Sequence, residues 1–119
     1  MTTQEVAAMI EEIGLPFCYY QFPDGTATAP PFVAFFCPAE DGLFADNITY
    51  TRRATLVIEL YSDDKDFTHE EAIEAILDAH DLPWEKDSTY LGDERLYMTT
   101  FTTSVLLTPS NPPTTAVTT

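Results

Sequence analysis

Polar and apolar residues alternate along the middle of the chain, between Arg53 and Tyr61. One side of this stretch carries Ala54, Leu56, Ile58 and Leu60, and the other carries Thr55, Val57, Glu59 and Tyr61. A period of two with β-branched and aromatic residues is typical of a strand with one buried face. We expect this strand to begin near Ile48 or Thr49 and to end at the acidic run after Tyr61, and the rest of the chain to pack around it.

The first residues carry the spacing of an amphipathic helix. The apolar positions follow at i, i+3, i+4 and i+7, and they are Val6, Met9, Ile10 and Ile13. This spacing predicts a helix over residues 3–13. Thr2 and Glu5 form a capping-box pattern at its start, and Gly14 is placed to end it.

A second helix is predicted over residues 69–80. Thr68 and Glu71 have the spacing of a capping box, in which each side chain accepts a hydrogen bond from a backbone amide at the helix start. The inner face of this helix consists of Ala72, Ile73, Ile76 and Leu77. The acidic run between the central strand and this helix is favoured by the helix dipole.

Short apolar or alternating runs predict the remaining strands. They are residues 17–22, 32–37, 84–90 and 96–106, with Pro38 placed to end the second of them. The sum is an α+β fold: a single domain over residues 1–107, with a mostly antiparallel sheet of four or five strands and two helices packed on one face. Residues 108–119 are rich in Thr and Pro and predict a disordered tail, or an arm that orders on a partner.

Residues 39–47 predict an acidic loop before the central strand. Leu43 and Phe44 are apolar residues in the middle of this loop. An apolar tip on an acidic loop is either tucked under the domain or offered to a neighbouring protein.

The charge balance narrows the classes of partner. The 119 residues include 20 acidic and 5 basic ones, which gives a formal net charge of −15. Binding to nucleic acid or to an anionic membrane requires Lys and Arg, so both are disfavoured. The acidic excess fits a soluble surface, a basic partner, or a wall along which a polyanion slides without adhering. No apolar run is long enough for a transmembrane helix, and no signal peptide is predicted.

The sequence predicts no catalytic, cofactor-binding or metal site. The Ser-x-x-Lys spacing at residues 62–65 lies after a strand, whereas acyl-serine enzymes need it at a helix start. The three aspartates between residues 63 and 66 lack the glycine and distal glutamate of a calcium loop. His69 and His80 are too far apart along one helix to share a metal ion.

The sequence leaves the role of two residue pairs open, with two interpretations for each pair. Arg52 and Arg53 either form local ion pairs against the acidic excess or take part in an interface. Cys18 and Cys37 fit small buried hydrophobic residues in a reducing compartment, with a disulfide as the alternative if their strands pair in register.

Taken in order, the chain resembles the tail-completion or tail-terminator proteins at the head–tail junction (neck) of long-tailed bacteriophages. The similarity covers roughly residues 4–106 and depends on the order and spacing of short pieces. These are Gly14-Leu15-Pro16 after the first helix, Tyr19-Tyr20-Gln21-Phe22, the run from Pro30 to Phe36, Phe44-Ala45-Asp46-Asn47 before Tyr50, Glu59-Leu60-Tyr61 with Lys65-Asp66, and Glu94-Arg95-Leu96-Tyr97-Met98.

This resemblance implies a structural virion protein rather than an enzyme. Such proteins assemble as a homo-oligomeric ring, usually a hexamer, that terminates the tail tube and docks it to the head connector or stopper. The implied partners are further copies of the chain, the tail tube protein and the connector. Genomic DNA passes through the lumen without specific binding, no membrane is involved, and the implied location is the virion neck, with the host cytoplasm during assembly.

The candidate interface residues lie on the acidic loop and on the central strand. They are Leu43, Phe44, Asp46 and Asn47 on the loop, Arg52 and Arg53 at the start of the alternating stretch, and Val57 and Tyr61 on its outer side. The alternative function is an acidic DNA mimic that inhibits a DNA-binding protein, although the acidic residues cluster in turns rather than at phosphate-like spacing. An enzyme with an unrecognised site is the third interpretation, and no constellation of residues indicates one.

Overall fold

The computed structural model describes residues 1–21, 29–45 and 48–108. It contains two helices and five strands, in the order α1 Thr3–Glu11, β1 Phe17–Tyr19, β2 Phe32–Ala45, β3 Ile48–Ser62, α2 Phe67–Ala79, β4 Trp84–Leu91 and β5 Leu96–Leu107. The predicted α+β class is confirmed. Within the described ranges, no helix is long and apolar enough to cross a membrane.

The five strands form one sheet in the order β1-β2-β3-β5-β4. The short strand β1 runs parallel to β2, and every other neighbouring pair is antiparallel. The central position of β3 confirms that the alternating stretch is the middle of the domain. The sheet has an edge on each side. One edge is β4, and the other consists of β1 and the part of β2 that β1 does not cover.

Both helices cover the same face of the sheet. The inner residues of β3 are almost completely buried, and they are Ala54, Leu56, Ile58 and Leu60. They share one core with Met9 and Ile10 of α1, with Ile73 and Leu77 of α2, and with Phe101 of β5. Full burial of one such aliphatic side chain stabilises the fold by about 1.5–3 kcal/mol, so this layer holds the helices on the sheet.

The strand β2 is longer than predicted. It continues through Pro38 to Ala45, and most of the predicted acidic loop is therefore strand. Its register with β3 shifts between Phe36 and Ala39. A proline is tolerated in a strand at an edge or a bulge, because its missing N–H donor is not needed there, and Pro38 lies at this irregularity.

The strand β1 ends earlier than predicted, at Tyr19 rather than at residue 22. Tyr20 has a φ of +69°, which lies in the left-handed region and interrupts an extended chain. Residue 22 itself lies outside the described ranges, as do residues 109–119 of the predicted tail.

The capping box of Thr2 and Glu5 at the start of α1 is confirmed. The amide of Glu5 donates to Thr2 Oγ1 over 3.1 Å, and the amide of Thr2 donates to the Glu5 carboxylate over 2.7 Å. The helix ends at Glu11, two residues before the predicted end, and Gly14 follows with a φ of +84°. Glycine adopts this conformation without steric cost, which explains its place after the helix.

The predicted capping box of α2 is wrong. The helix begins at Phe67, and its N-cap is Asp66 rather than Thr68. The amide of His69 donates to Asp66 Oδ1 over 3.0 Å, and the ring nitrogen Nδ1 of His69 lies 2.6 Å from Oδ2. Burial opposes the charged carboxylate, but the hydrogen bonds from His69 outweigh it and lower the pKa of Asp66.

Replacing Asp66 with Ala should lower the free energy of unfolding by about 1 kcal/mol at neutral pH, because a helix amide loses its acceptor. The folded-state pKa of Asp66 is lowered, so its contribution is present above the unfolded pKa of about 3.9 and is lost as pH falls through the folded value. Denaturant unfolding at a series of pH values should show the difference from wild type shrinking below that pH. Thr68→Ala is the matched control, and an equal loss in that variant would contradict the assignment of the cap.

Candidate interaction surface

The predicted interface residues fall on the hairpin of β2 and β3 and on the outer face of the sheet. Leu43 and Phe44 belong to β2 and pair with Thr51 and Thr49 of β3, so they lie on a strand rather than on a loop. Asp46 and Asn47 fall outside the described residues. Arg52 and Arg53 follow on β3, and both register with β5.

The hairpin reaches past the rest of the sheet. The strand β5 pairs with β3 only from Arg52 onward, and β1 pairs with β2 only between Val33 and Phe35. Residues 39–42 of β2 pair with residues 52–55 of β3, which β5 supports on their other side. Residues 43–45 and 48–51, which we call the arm, pair only with each other within the described part of the chain. A two-stranded hairpin alone in water is marginally stable at best. The arm therefore lacks the stabilising contacts with further strands that the rest of the sheet has.

The second feature is the sheet face opposite the helices, which we call the outer face. The described ranges place no helix or strand over it. It carries two aromatic stacks, one between β2 and β3 and one between β2 and Tyr20, which follows β1. The rings of Phe32 and Tyr61 are 5.0 Å apart at 18°, and those of Tyr20 and Phe36 are 5.2 Å apart at 19°. Val57 registers with Phe36, so an apolar patch runs across the two strands.

Tyr61 is fixed within this patch by a hydrogen bond. Its hydroxyl donates to Glu59 Oε1 over 2.8 Å. Burial and the hydrogen bond to Glu59 raise the pKa of Tyr61 well above its usual value. Burial also raises the pKa of the Cys18 thiol, which is typical of a cysteine that packs rather than reacts. Tyr61 is therefore a neutral, oriented ring on the outer face.

The two cysteines are not joined, since each is a thiol in this structure. Both side chains are half-buried on neighbouring parts of the sheet. The structure therefore agrees with two packed thiols and not with a disulfide.

Arg53 lies at the end of the outer face. Its side chain is exposed, and it makes no ion pair with any described side chain. Leu106, its register partner on β5, is exposed at 50%. The register partner of Arg53 on β2 is Asp41, and both interpretations of Arg53 stay open.

The strongest charge cluster was not predicted from the sequence. Glu70 of α2 is only 2% exposed. Its carboxylate pairs with Lys65 at the end of the turn before α2 and with Lys86 of β4 at 3.4 Å, and it accepts a hydrogen bond from Thr99 of β5 over 3.3 Å. Lys86 also reaches Glu74 at 2.7 Å. A hydrogen bond to Glu74, together with its two carboxylate neighbours, raises the pKa of Lys86.

This cluster, which we call the Glu70 network, joins α2 to β4 and β5. Its two acidic and two basic side chains balance one another, so the buried carboxylate is compensated. The network also engages Lys65 and Lys86, two of the 5 basic residues of the chain. The helical spacing already indicates this burial, because Glu70 lies three and seven residues before Ile73 and Leu77 and so shares their face of α2. The sequence does not show its partners Lys86 and Thr99, which come from distant strands.

The residues whose spacing resembles catalytic or metal-binding motifs are buried or form local ion pairs in the structure. Ser62 is buried at 4% exposure, and Lys65 belongs to the Glu70 network. His69 contacts Asp66, and His80 Nε2 lies 3.4 Å from Glu12. Among the described residues, no group of three or more His, Cys, Asp or Glu is placed to hold a metal ion.

Replacing Glu70 with Gln should lower the free energy of unfolding by about 1–3 kcal/mol, because the neutral amide leaves two ammonium groups and a buried hydroxyl poorly paired. The control Glu71→Gln changes an exposed neighbour on the same helix and should cost less than about 0.5 kcal/mol. Urea denaturation followed by circular dichroism measures both. Equal stability of the two variants would show that the network does not hold α2 to the sheet.

The chain matches no protein-family model and no curated protein. Its function is therefore argued from its own surface. The surface features that bear on its function are the arm, the outer face and the distribution of charge.

Proposed function

We propose that this chain is a non-enzymatic structural protein of the phage head–tail junction. In this proposal copies of the chain form a ring, of six subunits as the resemblance implies, that terminates the tail tube and docks it to the head connector. Two observations support the proposal. The first is the order of short sequence pieces over residues 4–106. The second is a fold with a projecting arm and a sheet face that the described elements leave uncovered.

The observation that carries the proposal is the arm. Its strands pair only with each other, and a two-stranded hairpin gains too little from its own contacts to be stable alone. Leu43 and Phe44 place two large apolar residues on it. An apolar, poorly supported hairpin is stabilised when it packs against a second surface, and the proposal assigns that surface to a neighbouring subunit.

The outer face offers a suitable receptor for the arm. It presents half-buried apolar rings and Val57 beside the exposed Arg53. Because the arm and the outer face are different surfaces, their contact is heterologous, and such contacts close into rings when the rotation between copies allows it. Asp46, Asn47 and Arg52 lie next to the arm in sequence and belong to the same proposed contact.

The charge of the chain suits a passage for DNA. Each copy carries a formal charge of −15, and the two lysines of the Glu70 network are already engaged by carboxylates. A ring of such subunits repels phosphate, so DNA would pass through its lumen without adhering. The tail tube protein and the connector are the proposed partners at its two ends.

The double variant Leu43→Ser, Phe44→Ser should fold like wild type but fail in assembly. Complementation of a phage that lacks its own copy of the gene should give tailless particles or heads that leak DNA, counted by electron microscopy. The matched control is Phe67→Ser, which removes an apolar ring that is exposed at 63% on α2, away from the arm. Normal virions with the double variant would contradict the role of the arm.

Mass measurement in solution tests the ring itself. A ring, formed alone or on the tail tube protein, is the expected result, and the double variant should shift it toward the monomer. A monomer that ignores the tail tube protein and binds basic DNA-binding proteins would instead support the DNA-mimic alternative.

A further inference from the structure

A second surface lies at the opposite edge of the sheet from the arm. The strand β4 pairs with β5 along its whole length, from Trp84 to Leu91, and with no other described strand. On an edge strand, alternate backbone N–H and C=O groups point away from the sheet and can pair with an added strand. Six consecutive residues of β4, 85–90, are exposed.

Of the usual means of protecting an edge strand, β4 has charged side chains, including the inward-pointing Lys86, but neither a proline nor a bulge. Such charges repel strands of like charge and leave the backbone open to a segment of opposite charge. The β4 sequence contains no proline, and its register with β5 is unbroken. Its one lysine, Lys86, is turned to the helix side, where it contacts Glu70 and Glu74. The edge is therefore regular and open to pairing.

The charge of this edge selects the partner. Because Lys86 faces the helices, its neighbours Glu85 and Asp87 lie on the outer face. There they line a shallow depression together with Thr100 and Thr102, at whose border Lys86 lies. Both carboxylates are exposed, and neither forms an ion pair within the described part of the chain. The edge thus combines unpaired backbone groups with uncompensated negative charge.

A second copy of the chain is a poor occupant of this edge. Two β4 strands paired with each other would bring the Glu85 and Asp87 carboxylates of both copies together on one face, and like charges across a strand pair are destabilising. The open edges of the arm, residues 43–45 and 48–51, are each shorter than β4. The longer open edge is the part of β2 beyond β1, which carries Glu40 and Asp41. Pairing β4 with it would again place acidic residues side by side.

We propose that the β4 edge is a docking site for an extended basic segment of another protein, which adds to the sheet as a sixth strand. Main-chain hydrogen bonds supply affinity in this mode of recognition, and alternate side chains supply specificity. Lysine or arginine at every second position would face Glu85 and Asp87, and the Thr100 and Thr102 hydroxyls lie beside them. The site is separate from the proposed ring contact, which uses the arm and the β2 and β3 part of the outer face, whereas Glu85 and Asp87 lie on β4 at the other end of the sheet.

The test uses a dye-labelled octapeptide of four Lys-Val repeats and fluorescence anisotropy on the full chain. The charge-reversal variant E85K/D87K should weaken binding about tenfold or more, because cross-strand charge pairs turn from attractive to repulsive. The control E11K/E71K makes the same change in net charge at exposed helix positions and should weaken binding less than about threefold through long-range charge alone. Circular dichroism confirms that both variants fold.

A peptide of the same sequence with every amide N-methylated has the same charge but no backbone donors. It should lose binding, and hydrogen exchange should show new protection of β4 amides only with the unmethylated peptide. Equal weakening by the two charge variants, retained binding of the methylated peptide, or no binding at all would overturn the proposal. The arm variant L43S/F44S should bind the peptide normally, which separates this result from that of the ring.

Discussion

One-sided burial of the sheet is the constraint on which the rest of the structure depends. The inner residues of β3 meet side chains from both helices, and this single layer holds almost all of the buried apolar surface. Because both helices are used on that face, the described elements leave the other face without a covering layer. The outer face, which we propose as the receptor for the arm, is therefore open because both helices lie on the other face.

The Glu70 network refines this arrangement. Apolar burial holds the helices on the sheet but is not directional, whereas a carboxylate shared between Lys65 and Lys86 fixes the position of α2 against β4. The same network turns Lys86 toward the helices and so leaves the β4 edge with Glu85 and Asp87 alone. The Glu70 network on the helix side of the sheet is therefore the reason why the outer side of the β4 edge is negatively charged.

The two proposed contacts lie at opposite ends of the sheet and differ in kind. The arm would contribute apolar side chains to a heterologous contact between copies, whereas β4 would contribute backbone groups and negative charge to a contact with a basic partner. In the proposed function these two surfaces serve contacts with different partners, and the net charge of −15 would keep DNA from adhering.

The sequence by itself determined the class of the fold, the central strand, both helices and the buried face of β3. These depend on the local period of apolar residues, which a short window of sequence contains.

Only the tertiary structure decided the features that matter for contacts. Pro38 ended a strand by local rules, yet β2 continues past it, because a bulge against β3 accommodates the proline. The spacing of Thr68 and Glu71 predicted the cap of α2, yet the helix begins two residues earlier and Asp66 is the cap. The parallel pairing of β1, the arm, the partners of Glu70 and the open β4 edge all depend on which distant segments meet, and no local pattern of residues records that choice.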